Sequence, residues 1–214
     1  MRSKKLTGGL MVVLAQESEV LPRLEQLGLS KPELLDVVRA AVGARRTTTD
    51  FHPASAGGLL SWIAGTAHLR RVFVPKGWEI SRRENIESIF SPTAKIKVIF
   101  QNADRAGDPI ADPIASSKKG AGSARAVESG QYELFPSIRQ REQAEENAPT
   151  WCLFVYVDGS DVRAEFSCPR AIIDEQFDGF HERILLVKKG EWEAPDMVDD
   201  VPPIEFEVPV SRKG

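Results

Sequence analysis

From residue 101 to residue 150 the chain runs for fifty residues with little sustained apolar periodicity, and any fold has to be assembled around that gap. Asp108-Pro109 and Asp112-Pro113 break its first part, followed by the polar run Ser116-Ser117-Lys118-Lys119-Gly120-Ala121-Gly122-Ser123. Near its end, residues 139–147 read Arg-Gln-Arg-Glu-Gln-Ala-Glu-Glu-Asn. Such a composition buries too little apolar area to offset the conformational entropy of ordering it. A stretch of this length is either a linker between two folded parts or a long insertion loop in one, and loops of that size signal function or disorder.

Before the gap the patterning is mainly helical. Residues 17–28 and 30–43 read as helices, the second opened by Ser30-Lys31-Pro32-Glu33, a capping box with Pro in the first turn, and ended at Gly43. Leu34, Leu35, Val38 and Val42 give it an apolar face. Helix, short turn, helix is also the outline of a helix-turn-helix DNA reader. Pro32 and Glu33 would then stand at the groove-facing start, where basic or neutral polar groups belong, so a plain helical hairpin is the reading. Residues 55–68 carry Leu59, Leu60, Trp62, Ile63 and Ala67 and predict a partly buried helix, weakened by Gly57, Gly58 and Gly65. Val72-Phe73-Val74 predicts a short strand, Ser81-Arg82-Arg83-Glu84 a second capping box opening a helix through Phe90, and residues 95–100 a clear strand.

After the gap the pattern turns to strands. Residues 151–157 and 162–166 flank Asp158-Gly159-Ser160-Asp161, a hairpin signal. Residues 183–188 and 204–210 supply two more strands, Pro209 marking an edge or an end, and residues 170–180 a short helix. The expected class is α+β. Residues 1–100 form a helix-rich N-terminal part and residues 151–214 an antiparallel β-rich C-terminal part, with a long flexible segment at 101–150 between them. The C-terminal strands form their own sheet or share one core with residues 95–100.

Within the gap lies Gln131-Tyr132-Glu133-Leu134-Phe135, two adjacent large apolar residues in a segment with no core of its own. The pentapeptide resembles the motif by which bacterial DNA polymerases, mismatch-repair proteins and replication regulators dock on the sliding clamp. The resemblance covers these five residues only, and implies that Leu134 and Phe135 fill an apolar pocket while Gln131 hydrogen-bonds at its polar edge. Tyr132 departs from the Leu more often found second. The alternative is that Tyr132, Leu134 and Phe135 tether the segment to this protein's own surface, or form a short edge strand.

The net charge of −3 conceals a division: residues 1–125 carry 19 Lys and Arg against 12 Asp and Glu, whereas residues 126–214 carry 9 against 19. Arg45-Arg46, Arg70-Arg71, Arg82-Arg83, Lys95, Lys97, Lys118-Lys119 and Arg125 would contact phosphates if folding gathers several on one face. Paired arginines are otherwise solvated faces or helix ends. No catalytic signature or cofactor motif stands out. Asp158, Asp161 and Glu165 are weak candidates for a shared divalent cation, as in a metal-dependent nuclease, but Ser167 occupies the position where that type of core has a catalytic Lys. Cys152 and Cys168 lie on opposite arms of one hairpin, where a suitable loop would let them face each other. Buried thiols are the reading in a reducing compartment. His52, His68 and His181 are scattered and read as structural.

No apolar stretch approaches the roughly 20 residues of a membrane span. Residues 6–15 are interrupted by Thr7-Gly8-Gly9 and read as a core segment, not a signal peptide, so the expected location is the cytoplasm. The leading expectation is a noncatalytic DNA replication or repair accessory protein that docks on the clamp. A module for a different protein partner and a nuclease-like enzyme are the alternatives.

Overall fold

Alternation in the strands after residue 150 sorts their side chains onto two faces, and the helices before residue 75 cover one of them. The computed structural model describes residues 11–117 and 144–192. In chain order its elements are β1 (Val12–Leu14), α1 (Glu17–Gln26), α2 (Lys31–Arg46), α3 (Ala56–Phe73), β2 (Glu79–Ser81), β3 (Ser88–Ser91), β4 (Ile96–Asp104), β5 (Ile114–Ala115), β6 (Thr150–Asp158), β7 (Asp161–Pro169), β8 (Ile172–Ile173), β9 (Gln176–Phe177) and β10 (Phe180–Val187). Eight strands form one sheet in the order β1-β10-β7-β6-β4-β3-β2, with β5 paired to β4, and β8 and β9 form a separate hairpin.

The sheet is mixed. β10, β7 and β6 are antiparallel neighbours, as are β4, β3 and β2, but β1 pairs parallel to β10 and β4 parallel to β6. Strands from both sides of the gap therefore share one sheet. The segment at 105–149 is an insertion between two strands that hydrogen-bond directly to each other. Residues 101–104, assigned to the gap by pattern, complete β4, and Thr150 opens β6.

On the first face Trp151, Leu153 and Val155 of β6, Ala164 and Phe166 of β7, and Ile184 and Leu186 of β10 join the buried residues of all three helices in one core. The Trp151 and Phe166 rings stack with centroids 4.8 Å apart. In α2 the buried Leu34, Val37, Val38, Ala41 and Val42 follow a helical stripe. α3 comes closest to the sheet at Gly65, where an added Cβ would stand 2.6 Å from the Phe100 ring. Ser61 Oγ donates to Asn102 Oδ1 at 2.8 Å, and Asn102 Nδ2 donates to the Gly58 carbonyl at 2.8 Å, so the same helix is also fixed by polar contacts. α1 is held by Arg23, which forks onto Glu182 of β10 at 2.7 and 2.8 Å.

Several local expectations give way to tertiary packing. Val72 and Phe73 continue α3, because Phe73 falls one turn after Leu69 on its buried face; Pro75 and Gly77, at φ +88°, end the helix. The second capping box opens no helix. Ser81 ends β2 and binds Glu145, while Ser88–Ser91, buried at every position, pairs with β2 and β4 as a strand. The first box also departs from expectation: Ser30 Oγ donates to Glu33 Oε2 at 2.7 Å, and Ser30 makes no side-chain bond to the backbone. α2 runs past the exposed Gly43 to Arg46. Residues 170–180 form the β8–β9 hairpin, with Asp174 and Glu175 both at positive φ in its two-residue turn. The strand expected at 204–210 lies outside the described residues. No helix among them is long and apolar enough to cross a membrane.

Two glycines test the helix layer. Gly65→Ala is expected to destabilise the protein by about 1–3 kcal/mol through overpacking against Phe100. Gly43→Ala, where an added Cβ meets nothing within 4 Å, is expected to stabilise it by about 0.5–1 kcal/mol. Urea denaturation measures both.

Candidate functional site

The second face of the sheet is organised by charge. Glu165 on β7 and Arg183 on β10, both fully buried, form a bidentate pair: Arg183 Nε donates to Glu165 Oε1 at 3.0 Å and Nη2 to Oε2 at 2.6 Å. Ser167 Oγ donates to Oε1 at 2.8 Å, and the Gly107 backbone N–H donates to Oε2 at 2.8 Å. Arg183 then reaches the Asp108 carbonyl at 2.8 Å and Asp112 Oδ1 at 3.3 Å. The pair thus fastens the loop after β4 onto the sheet. Gly107 is required there: its φ is +70°, and an added Cβ would meet the Val187 carbonyl oxygen at 2.4 Å.

That loop has a defined tip. Asp108 Oδ1 accepts from the backbone N–H groups of Ile110, at 2.8 Å, and Ala111, at 3.1 Å, an Asx turn. These two bonds hold the Asp108 carboxyl below its ordinary value. Ile110 stands 94% exposed at the end of the turn. Nothing in the sequence distinguishes Ile110 from an ordinary loop residue, because the group that fixes its loop, Arg183, lies 73 positions away.

The carboxylates considered for a cation are separated and committed. Asp158 and Asp161 are register partners at the end of the β6–β7 hairpin, whereas Glu165 lies four residues further along β7, roughly 13 Å at the rise of a strand. Asp161 accepts from Arg163 Nε at 3.0 and 3.1 Å, which holds its carboxyl low, and Asp158 accepts from the Tyr156 hydroxyl at 3.4 Å. Among the described residues no group of three or more His, Cys, Asp or Glu is placed to hold a metal ion.

The basic candidates divide. α2 and α3 are antiparallel, with His68 against Asp36 at 2.7 Å, so Arg45 and Arg46 sit at one end of the helical pair and Arg70 and Arg71 at the other. About thirteen helical residues, roughly 20 Å, separate the two ends. Arg70 and Arg82 share the Glu87 carboxylate, and Arg83 Nε lies 3.2 Å from Glu145 Oε2. Lys97 is buried, donates to the Glu146 carbonyl at 3.3 Å, and has its pKa pushed down by that burial; Lys95 is exposed in the β3–β4 turn. Among the described residues Arg70 and Arg82 are brought together on Glu87, and Arg83 and Lys97 near Glu145, so each group has a carboxylate against it. Lys118, Lys119 and Arg125 lie outside the described residues, as do Gln131, Tyr132, Glu133, Leu134 and Phe135.

Cys152 and Cys168 do not face each other. Cys152 pairs with Ser167 and packs on the second face with the buried Ala103, Ala106, Phe154 and Phe180, while Cys168 packs into the helix-side core. Both thiols are buried and neither is in a disulfide; burial pushes Cys168 up to about 12.

No protein-family model, no curated protein and no solved structure matches the chain.

Glu165→Ala is expected to destabilise the protein by about 3–5 kcal/mol in urea denaturation, since it removes the bidentate partner of a buried charge and leaves Arg183 only the half-exposed Asp112. Glu165→Leu with Arg183→Met should recover only part of that loss, because the Gly107 amide and Asp108 carbonyl remain without these partners. Neither thiol should react with Ellman's reagent at pH 8 until denaturant is added.

Proposed function

We propose that this protein is a noncatalytic accessory or regulatory protein of bacterial DNA replication or repair that docks on the sliding clamp through residues 131–135. The observation that carries the reading is the pentapeptide itself, with Gln131 at the polar edge of the clamp's pocket and Leu134 and Phe135 as its apolar anchors. Its setting supports the same reading. β4 and β6 hydrogen-bond directly to each other, and the inserted residues that brace the sheet, Gly107 and Asp108 at one end and Glu145 and Glu146 at the other, are ten or more positions from 131–135, so a binding peptide can be carried between them. Tyr132 in place of the more usual Leu affects affinity and leaves the two anchors unchanged.

A second reading, a module that meets a different protein through its folded part, is favoured by Ile110. A large apolar side chain on a loop fastened by a buried ion pair is preorganised for a partner's pocket. Asp158, Asp161 and Glu165 are engaged elsewhere, so they lend no support to a nuclease-like enzyme.

Calorimetry with purified bacterial sliding clamp separates these readings. The intact protein is expected to bind, and Leu134→Ala/Phe135→Ala to weaken binding by at least about 2 kcal/mol, roughly 30-fold. Ile110→Ala should leave the affinity unchanged. Absence of binding by the intact protein sinks the clamp reading, and a loss confined to Ile110→Ala transfers the contact to the folded part.

A further inference from the structure

The outer flank of α3 presents two large apolar side chains one turn apart. Leu59 and Ile63 are 54% and 48% exposed, and with Thr66 and Arg70 they follow one another at helical spacing along a single stripe. Thr66 on that stripe is itself buried, so the accessible part of the flank is Leu59 and Ile63. Arg45 and Arg46 stand at one end of the helical pair and Arg71 and Lys76 at the other, so an apolar stripe is bracketed by cations. Across residues 31–76 there are seven Lys and Arg against three Asp and Glu.

The complementary chemistry lies in the same chain. Residues 193–214 contain six Asp and Glu against two Lys and Arg, interleaved with Met197, Val198, Val201, Ile204, Phe206, Val208 and Val210. The four-charge excess of one stretch matches that of the other in magnitude and opposes it in sign. The chain also leaves the described fold near the starts of α1 and α2, where Glu191 lies close to both Glu17 and Lys31. Trp192 packs against the helix-side core with its indole Nε1 buried and unpartnered among the described residues, and Lys31 of α2 is among the cations acting on Glu191. Lys76, just after α3, is paired with Glu33 in the first turn of α2, so the start of α2 and the end of α3 meet. Twenty-two residues span at most about 75 Å when extended, against about 27 Å for the length of α3.

We propose that residues 193–214 dock within the same chain on the Leu59–Ile63 stripe of α3, their apolar side chains covering the stripe and their carboxylates meeting the arginines at its ends. The competing place is the outer edge of β1, where Val12 is 47% exposed and no strand pairs among the described residues. Charge there is mixed: α1, directly after β1, presents Glu17, Glu19 and Glu25 against Arg23, while Arg2, Lys4 and Lys5 precede β1 in the sequence, whereas both ends of the helical pair are basic.

A nitroxide on Ser211→Cys in the full-length chain tests the proposal, since the two native thiols are buried. The methyl signals of Leu59 and Ile63 should lose intensity in NMR spectra. Ile63→Asp or raised salt should restore the remaining Leu59 signal while the core methyls stay unchanged. Loss at Val12 and Leu14 instead, loss at no described residue, or loss that appears only between labelled and unlabelled chains in a mixture each overturns it. The last two identify an undocked segment and a second copy as the occupant, respectively.

Discussion

A carboxylate and a guanidinium buried together in a sheet hold their place only if nearly every remaining donor and acceptor finds a partner, because removing two charges from water costs more than their attraction returns. Glu165 and Arg183 meet that condition by drawing in the neighbouring chain. The lone pairs of Glu165 are taken by Arg183, Ser167 and the Gly107 amide, and the remaining reach of Arg183 is taken by the Asp108 carbonyl and Asp112. The loop after β4 is therefore part of the electrostatic solution. Without it the second face would expose an unsatisfied pair, and without the pair the loop would lose the anchor that turns Ile110 outward.

The same logic explains how one sheet accommodates an insertion at its centre. β4 and β6 are parallel neighbours, and a parallel pair always needs a crossover of a dozen or more residues. The stretch at 105–149 supplies that crossover, and its beginning is tied down: β5 pairs with β4, and Gln176 Nε2 of the β8–β9 hairpin donates to the Ala115 carbonyl at 3.3 Å. At its other end Glu145 and Glu146 meet Ser81, Arg83 and Lys97. Both ends of the insertion are therefore closed against the sheet by polar contacts.

Legibility in the sequence followed the range of the interaction. α1 and α2 were visible because apolar residues recur at helical spacing within one window, and β6 and β7 because Gly159 marks their turn. Phe73 was misread because three β-branched and aromatic residues form a strand-like run, while its real partner on the helix face, Leu69, lies one turn earlier. Ser81 was misread because a capping box is local, whereas the pairing of Ser88–Ser91 with both β2 and β4 is not. The parallel pairings could not be read at all, since no local pattern encodes which strand lies beside which. The pentapeptide was legible as a pattern, and the Glu165–Arg183 pair was not, because an acid and a base eighteen positions apart look like any two surface charges until a shared face buries them.

Charge asymmetry acquires a different meaning once the arginines are placed. A basic half suggests a nucleic-acid face only if its cations converge, and here α2 and α3 hold two of the pairs roughly 20 Å apart while Glu87 and Glu145 hold Arg70, Arg82 and Arg83. A dispersed, partly neutralised set of cations gives a weak field at any one phosphate. It is better suited to aligning an extended acidic strip, whose charges are themselves spread along its length. The helical pair offers such an arrangement, with Arg45 and Arg46 at one end, Arg71 and Lys76 at the other, and exposed Leu59 and Ile63 between. Apolar contact in the middle would supply affinity and the separated cations would supply register. On that proposal four of the ten excess negative charges after residue 125 are complementary to the four excess positive charges of residues 31–76.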